Sequence, residues 1–204
     1  RVPMIDSLLK LTHVLSIVVW IGGMVFAHFF LRPAVAQLEP PLRLRLMHEV
    51  LGRFFRGVLV ASSLAMATGL WMVGRVAKQA VQSGASFEMP LPWTVMSALG
   101  LVMFAIFLFI RLALFPAMGR AIAQSDWPAG AAALARIRQW VTINLGIGVV
   151  VVIVALVGGY WYARPLLMTG TGYAAHNACA VTFVAGRQDP RSDLPPNPLV
   201  PYLS

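Results

Sequence analysis

Four long apolar stretches divide this chain, and arginines crowd every second gap between them. The stretches cover about residues 7–31, 57–73, 93–118 and 141–162. A helix needs about 20 apolar residues to cross about 30 Å of hydrocarbon. Strands of a membrane barrel would alternate in polarity, and these stretches do not. Backbone inside lipid has to satisfy its own hydrogen bonds, so each stretch is expected to be one helix. The expected fold is all-α, an integral membrane four-helix bundle in contact with the lipid bilayer. Composition agrees: charged residues make up 11% of the 204-residue chain, where a soluble domain would carry about a quarter. The first stretch is expected to be retained rather than cleaved as a signal, because it is long and runs into Arg32-Pro33 instead of a small-residue cleavage site.

The charges orient the bundle. The first gap carries Arg32, Arg43, Arg45, Arg53 and Arg56, and the third carries Arg120, Arg136 and Arg138. The second has only Arg75 and Lys78. Positive loops stay inside, so the first and third gaps are expected in the cytoplasm and both termini outside. In a bacterial inner membrane, outside is the periplasm. The net charge of +9 is thus a topology signal with added attraction for anionic lipid, and nucleic acid is not an expected partner. Glu39-Pro40-Pro41 and Ser125-Asp126-Trp127-Pro128 read as helix starts, with Ser125 or Asp126 as a cap. Helices two and four are therefore expected to begin in the cytoplasm and extend below the membrane. The second gap, 74–92, is expected to be a loop with a short amphipathic turn at 76–81. Trp71, Trp93, Tyr160, Trp161 and Tyr162 cluster at the outer ends as an interfacial belt.

Residues 1–162 read as the transmembrane domain and 163–204 as an extended, proline-rich outer tail. Within the tail, 180–184 has strand-like composition, and Pro190, Pro195, Pro196, Pro198 and Pro201 follow. Such a segment cannot bury enough surface alone and is expected to lie along a membrane-protein partner or stay disordered. Cys179 is the sole cysteine. It excludes an internal disulfide and a paired-cysteine haem attachment, and a buried thiol is expected, with an intermolecular disulfide from the outer tail as the alternative. No internal repeat is evident.

Few residues can carry chemistry. His13 and His28 stand fifteen residues apart on the first stretch, about 22 Å of rise and about 60° of rotation. Ionisable groups inside a bilayer are functional candidates by default. Met72 and Met96 approach the depth of His13, and imidazole with soft thioether suits Cu(I) or a haem iron. The candidate metal set is therefore His13, His28, Met72 and Met96. For a haem, Trp20 could cover the ring and Arg111, the single charge inside the third stretch, could meet a propionate. Packing and snorkelling are their plainer roles. His13, Ser16, Trp20, Gly23 and Ala27 form one seam, where the small residues admit a neighbouring helix. Ser62, Ser63, Thr68 and Gly69 form a similar face, as do Asn144, Gly146 and Gly148. Paired intramembrane carboxylates, a phosphate loop, a zinc motif and a nucleophile elbow are all missing. No catalytic residue is assigned, and an enzyme is the less expected class.

The segment His13–Gly23 (HVLSIVVWIGG), followed by Arg32-Pro33, Arg53-Phe54-Phe55 and Thr68-Gly69, resembles the CopD-like family of bacterial membrane proteins, named for copper resistance protein D. The run from Asp126-Trp127-Pro128 to Asn144-Leu145 is similar to an uncharacterised branch of it. Histidine, tryptophan seven residues on and then glycine also resembles the first helix of four-helix, haem-containing protoporphyrinogen oxidases. The resemblance spans roughly 8–162. It implies either copper passage or b-type haem, with His13 matching the first-helix histidine and His28 a histidine of the branch. The branch has a histidine at the outer start of helix three, where this chain reads Trp93-Thr94-Val95-Met96, and the oxidases have a lysine nearby that is missing here. The leading expectation is a membrane protein handling copper or haem b. The alternatives are an accessory subunit of a larger membrane complex, held by its tail and small-residue faces, and a haem-dependent oxidoreductase.

Overall fold

A computed structural model describes residues 2–179. The strand-like segment 180–184 and the proline-rich stretch after it lie outside the described residues. The four apolar stretches are four helical spans, each long and apolar enough to cross a membrane. The first comprises α1 (Val2–Phe26), a π-helical turn (Ala27–Leu31) and α2 (Arg32–Val35). The second is α3 (Pro40–Gln82). The third comprises α4 (Leu91–Phe109), a second π-helical turn (Ile110–Leu114) and α5 (Phe115–Ala123). The fourth is α6 (Trp127–Cys179). Residues up to Val154 form one compact unit. Those from Ala155 form another, in which α6 is the only described element.

Helices two and four are the long ones, at 43 and 53 residues, roughly twice or more what a bilayer requires. Both start on the signals the sequence carries. Pro40 opens α3, where its missing N–H would have had no partner anyway. At α6 the cap is Asp126: its Oδ1 accepts the Ala129 N–H at 3.0 Å, while Ser125 takes a left-handed φ of 56° in the turn before. Asp126→Ala is expected to cost about 1 kcal/mol, readable as a lower midpoint in denaturant unfolding of the micelle-bound protein.

Two boundaries differ from expectation. Helix α3 does not end near Val73, and 76–81 is its last turns rather than a separate one. A lone Gly74 is tolerated within a helix, and the stop comes at Gly84, whose φ of 75° suits glycine. There the Ala85 N–H bonds Ala80 O at 3.0 Å and the Gly84 N–H bonds Val81 O at 3.1 Å, closing the helix in a Schellman motif. Helix α6 likewise runs past Tyr162, through Pro165, to Cys179. One proline removes one backbone bond but does not end a long helix. Cys179 is exposed, not a buried thiol.

The first and third spans share a device that residue identities conceal. Each contains a five-residue π-helical turn whose second residue is basic, His28 in one and Arg111 in the other. Each turn is followed two residues later by proline, Pro33 and Pro116. Proline cannot donate to the carbonyl four residues back and its ring crowds that carbonyl. Widening the preceding turn relieves the clash, and the i→i+5 bonds Arg32 N–H to Ala27 O and Phe115 N–H to Ile110 O mark the widening.

Up to Val154 the spans pack antiparallel, each against its chain neighbours, and the first also meets the fourth. Asp6 and Arg75 form an ion pair at 2.6 Å between the start of α1 and the last turns of α3, and further along, Gly23 takes the Phe54 ring against its backbone. Gly52 faces Phe115 across spans two and three. Gly148 of α6 accepts Ile21 from the first span and Met103 from the third. Phe109 and Trp140 meet edge to face at 5.3 Å. Lipid offers helices no hydrophobic drive to associate, so close backbone approach at small residues matters most. The starts of α3 and α6 also pack: a Cβ on Gly130 would lie 3.3 Å from Leu44 Cδ1, and Arg45 sits over Trp127 at 5.5 Å. An aromatic series, Trp20–Phe107–Phe55–Phe115–His48, runs inward through the core. Large apolar side chains such as Leu8, Leu11, Leu15 and Val18 remain exposed, as lipid-facing positions should.

Candidate functional site

His13 is built into a contact between α1 and α3. Its Nδ1 lies 2.9 Å from Ala65 O and 3.1 Å from Thr68 Oγ1. A carbonyl oxygen only accepts, so Nδ1 carries the proton. The Thr68 hydroxyl donates to Leu64 O at 2.6 Å, which leaves its oxygen to accept from the same imidazole N–H. In the neutral imidazole this pairing leaves Nε2 with its lone pair. Metal-ligating histidines are held in the same way, the other ring N–H fixed by a carbonyl. Gly69 makes room for the ring: a Cβ there would stand 3.3 Å from His13 Cε1. The face Ser62, Thr68, Gly69 is therefore the wall against which His13 stands, and Ser63 is exposed instead of joining it.

The other candidates occupy separate places. His28 lies in the first π-helical turn, and its Nδ1 is 3.4 Å from Thr142 Oγ1 of α6. Thr142 itself donates to Arg138 O at 2.9 Å, so its oxygen is the acceptor in the His28 contact. Met72 lies on α3 four residues after Thr68, and Met96 lies in the second turn of α4. Both are half-buried. His13 and His28 are not brought together. Among the described residues no group of three or more histidines, cysteines or carboxylates gathers at one point.

Trp20 is 2% exposed and edge-on to Phe107 at 6.4 Å, so it packs in the core. Arg111 lies over the Phe115 ring at 5.7 Å, with its Nε shielded and unpartnered among the described residues. On the same ring His48 stacks at 4.6 Å. Asn144 is enclosed, its Nδ2 3.7 Å from Met24 Sδ, while Gly146 is exposed and Gly148 buried. An open apolar pocket of about 270 Å³ sits between the second half of the first span and the first half of α3, lined by Gly23, Phe26, Ala27, Leu31, Val50 and Phe54 among others.

Several partners escaped the sequence reading. Thr68 and Gly69 register there as a small polar face and a piece of the family resemblance, not as partners of His13, although Thr68 at i+3 and Gly69 at i+4 from Ala65 put a hydroxyl, a carbonyl and a gap on one side. Thr142 and Asp6 carry no local signal at all, because their partners are more than a hundred and nearly seventy residues away.

No curated protein and no solved structure matches the chain significantly. The family model for copper resistance protein D matches residues 48–157, which begins at His48 and leaves His13 and His28 before it. That match covers more than half of the 204-residue chain, includes the wall that holds His13 and extends well into α6. With four membrane-spanning helices around it, this multi-pass membrane protein belongs to the copper resistance protein D family.

Proposed function

We propose that the chain handles Cu(I) within the membrane, with His13 Nε2 as the intramembrane ligand. The observation that carries this reading is the hydrogen bond from His13 Nδ1 to Ala65 O, which orients a neutral imidazole with its second nitrogen free. Imidazole together with thioether suits Cu(I), and Met72 and Met96 are the thioethers proposed at that depth. His28, held by Thr142, is proposed as a second station at the inner end. The first and third gaps are proposed to face the cytoplasm of a bacterial inner membrane, with both termini periplasmic. Copper is the cargo here and no catalytic step is required.

A b-type haem fits less well. Trp20, which would have to cover the ring, is enclosed with Met24, Met103 and Phe107 in one packed cluster. Arg111, which would have to meet a propionate, lies over Phe115. Purified protein loaded anaerobically with Cu(I), then desalted, is expected to retain about one copper per chain and to show no Soret band. A Soret band, or no retained copper, sinks the reading.

An accessory-subunit role is a second reading, favoured by α6. Leu167, Met168 and Tyr173 are at least half exposed on a helix that has already exceeded the length of a span. Apolar side chains beyond the lipid call for a protein partner. Native-gel mass of the complex extracted from membranes tests it. A chain truncated after Tyr162 is expected to lose the larger species, and unchanged mass rejects the role.

A further inference from the structure

The arginines of the inner loops do not all project singly into water. Arg32 stands four residues inward of His28 on the first span, and Arg138 stands four residues inward of Thr142 on α6. His28 and Thr142 touch at 3.4 Å, so the next turn inward, about 6 Å away, carries Arg32 and Arg138 side by side. Arg43, in the first turn of α3, lies near enough for its charge to act on Arg138, as the charge of Arg32 does. Three elements thus bring like charges within electrostatic reach of Arg138. Among the described residues the ion pairs are Arg53–Glu49 and Arg75–Asp6, and neither involves this trio. The Nε of Arg138 is also shielded and meets no acceptor among the described residues. A topology signal needs positive charge on the loop but gains nothing from convergence or from a sealed donor.

The geometry points to a binding site for a phosphate-bearing anion formed by Arg32, Arg43 and Arg138 at the inner face of the bundle. Guanidinium groups bind phosphate oxygens in parallel pairs, and a buried Nε donor completes such a fork. The site lies where the spans leave the apolar region, at the depth of lipid headgroups. An acidic phospholipid of the inner leaflet is the source that fits this depth, and a soluble phosphate compound shares its chemistry. The site is independent of copper handling.

Full-length protein in mild detergent, offered equal phosphatidylglycerol and phosphatidylcholine, tests this by native mass spectrometry of retained lipid. Wild type is expected to favour phosphatidylglycerol. Arg138→Gln and Arg32→Gln are each expected to lower that preference about fivefold, the contribution of one arginine at an anionic surface. Arg136→Gln removes the same charge from an exposed position of α6 and is expected to leave it unchanged. Arg32 is exposed, so Arg32→Gln keeps the test valid if Arg138→Gln fails to fold by circular dichroism. A second arm adds inorganic phosphate to protein in phosphatidylcholine alone. A rise in Tm that Arg138→Gln abolishes, without lipid preference, assigns the same site to a soluble phosphate. Equal loss in Arg136→Gln and Arg138→Gln overturns the site in favour of diffuse attraction. Equal retention of both lipids with no response to phosphate overturns it as well.

Discussion

Replacing His13 by alanine is expected to weaken Cu(I) binding by more than the about 10–100-fold that loss of an outer hydrogen-bond partner alone costs a metal site. The expectation follows from what the imidazole does in the bundle. Ala65 O and Thr68 Oγ1 both face Nδ1, so rotation of the ring would strand a polar N–H in an apolar setting, which is costly. The ring is thereby locked with Nε2 presented. Alanine removes the donor without disturbing a tightly packed core, because His13 is only half-buried. A competition titration against a Cu(I) chelator reads the change. Gly69→Leu provides the decisive companion. It keeps the ligand but fills the space against which the ring rests, 3.3 Å from Cε1, and should weaken binding in the same direction. If His13→Ala binds Cu(I) as wild type does, the ligand lies elsewhere. If Gly69→Leu alone binds normally, the wall does not position the ring.

Leu44→Ala is expected to destabilise the protein by about 2–5 kcal/mol, the range for a large-to-small change in a water-surrounded core. Leu44 is 1% exposed and packs on Gly130, where the starts of α3 and α6 meet. It sits between Arg43 and Arg45, which on the proposed topology puts it outside the hydrocarbon. Both the transfer term and the cavity term therefore apply. Val58 is equally enclosed, at 1%, but lies within the apolar stretch of α3. There the alternative environment is lipid, the transfer term falls away and only lost packing remains. Val58→Ala is thus expected to cost clearly less per methyl removed. Denaturant unfolding in micelles measures both. Leu42, 57% exposed, is the control. A Leu44→Ala variant as stable as Leu42→Ala would mean that the inner ends do not form a shared core.

Much of the fold was legible because its causes are local. Length and polarity of the four stretches follow from the bilayer, and proline and aspartate set the starts of α3 and α6. The ends were harder. Gly74 resembles a stop and Gly84 is one, yet the difference lies in a backbone φ and two Schellman bonds. Tyr162 resembles a membrane boundary and is one in composition only, since a helix needs no change of conformation to leave lipid. The repeated π-helical turn was hidden because it depends on how the helix accommodates a proline further on, not on residues the two turns share.

The site divides along the same line. His13 stands out in the sequence since an ionisable group in an apolar helix is costly and rare. Its tautomer, its orientation and the role of Gly69 depend on α3 lying antiparallel at one particular register, and the sequence of neither helix contains that register. Trp20 was ambiguous until the position of Phe107 was known. The arginines show the same contrast most clearly. Their number and spacing by themselves determine which loops are positive, since the membrane reads total charge near each span. Only the tertiary structure decides that Arg32 and Arg43 come within reach of Arg138 while Arg136 stays exposed. Convergence depends on which helices are neighbours, and that is settled by close approach at Gly23, Gly130 and Gly148 rather than by charge.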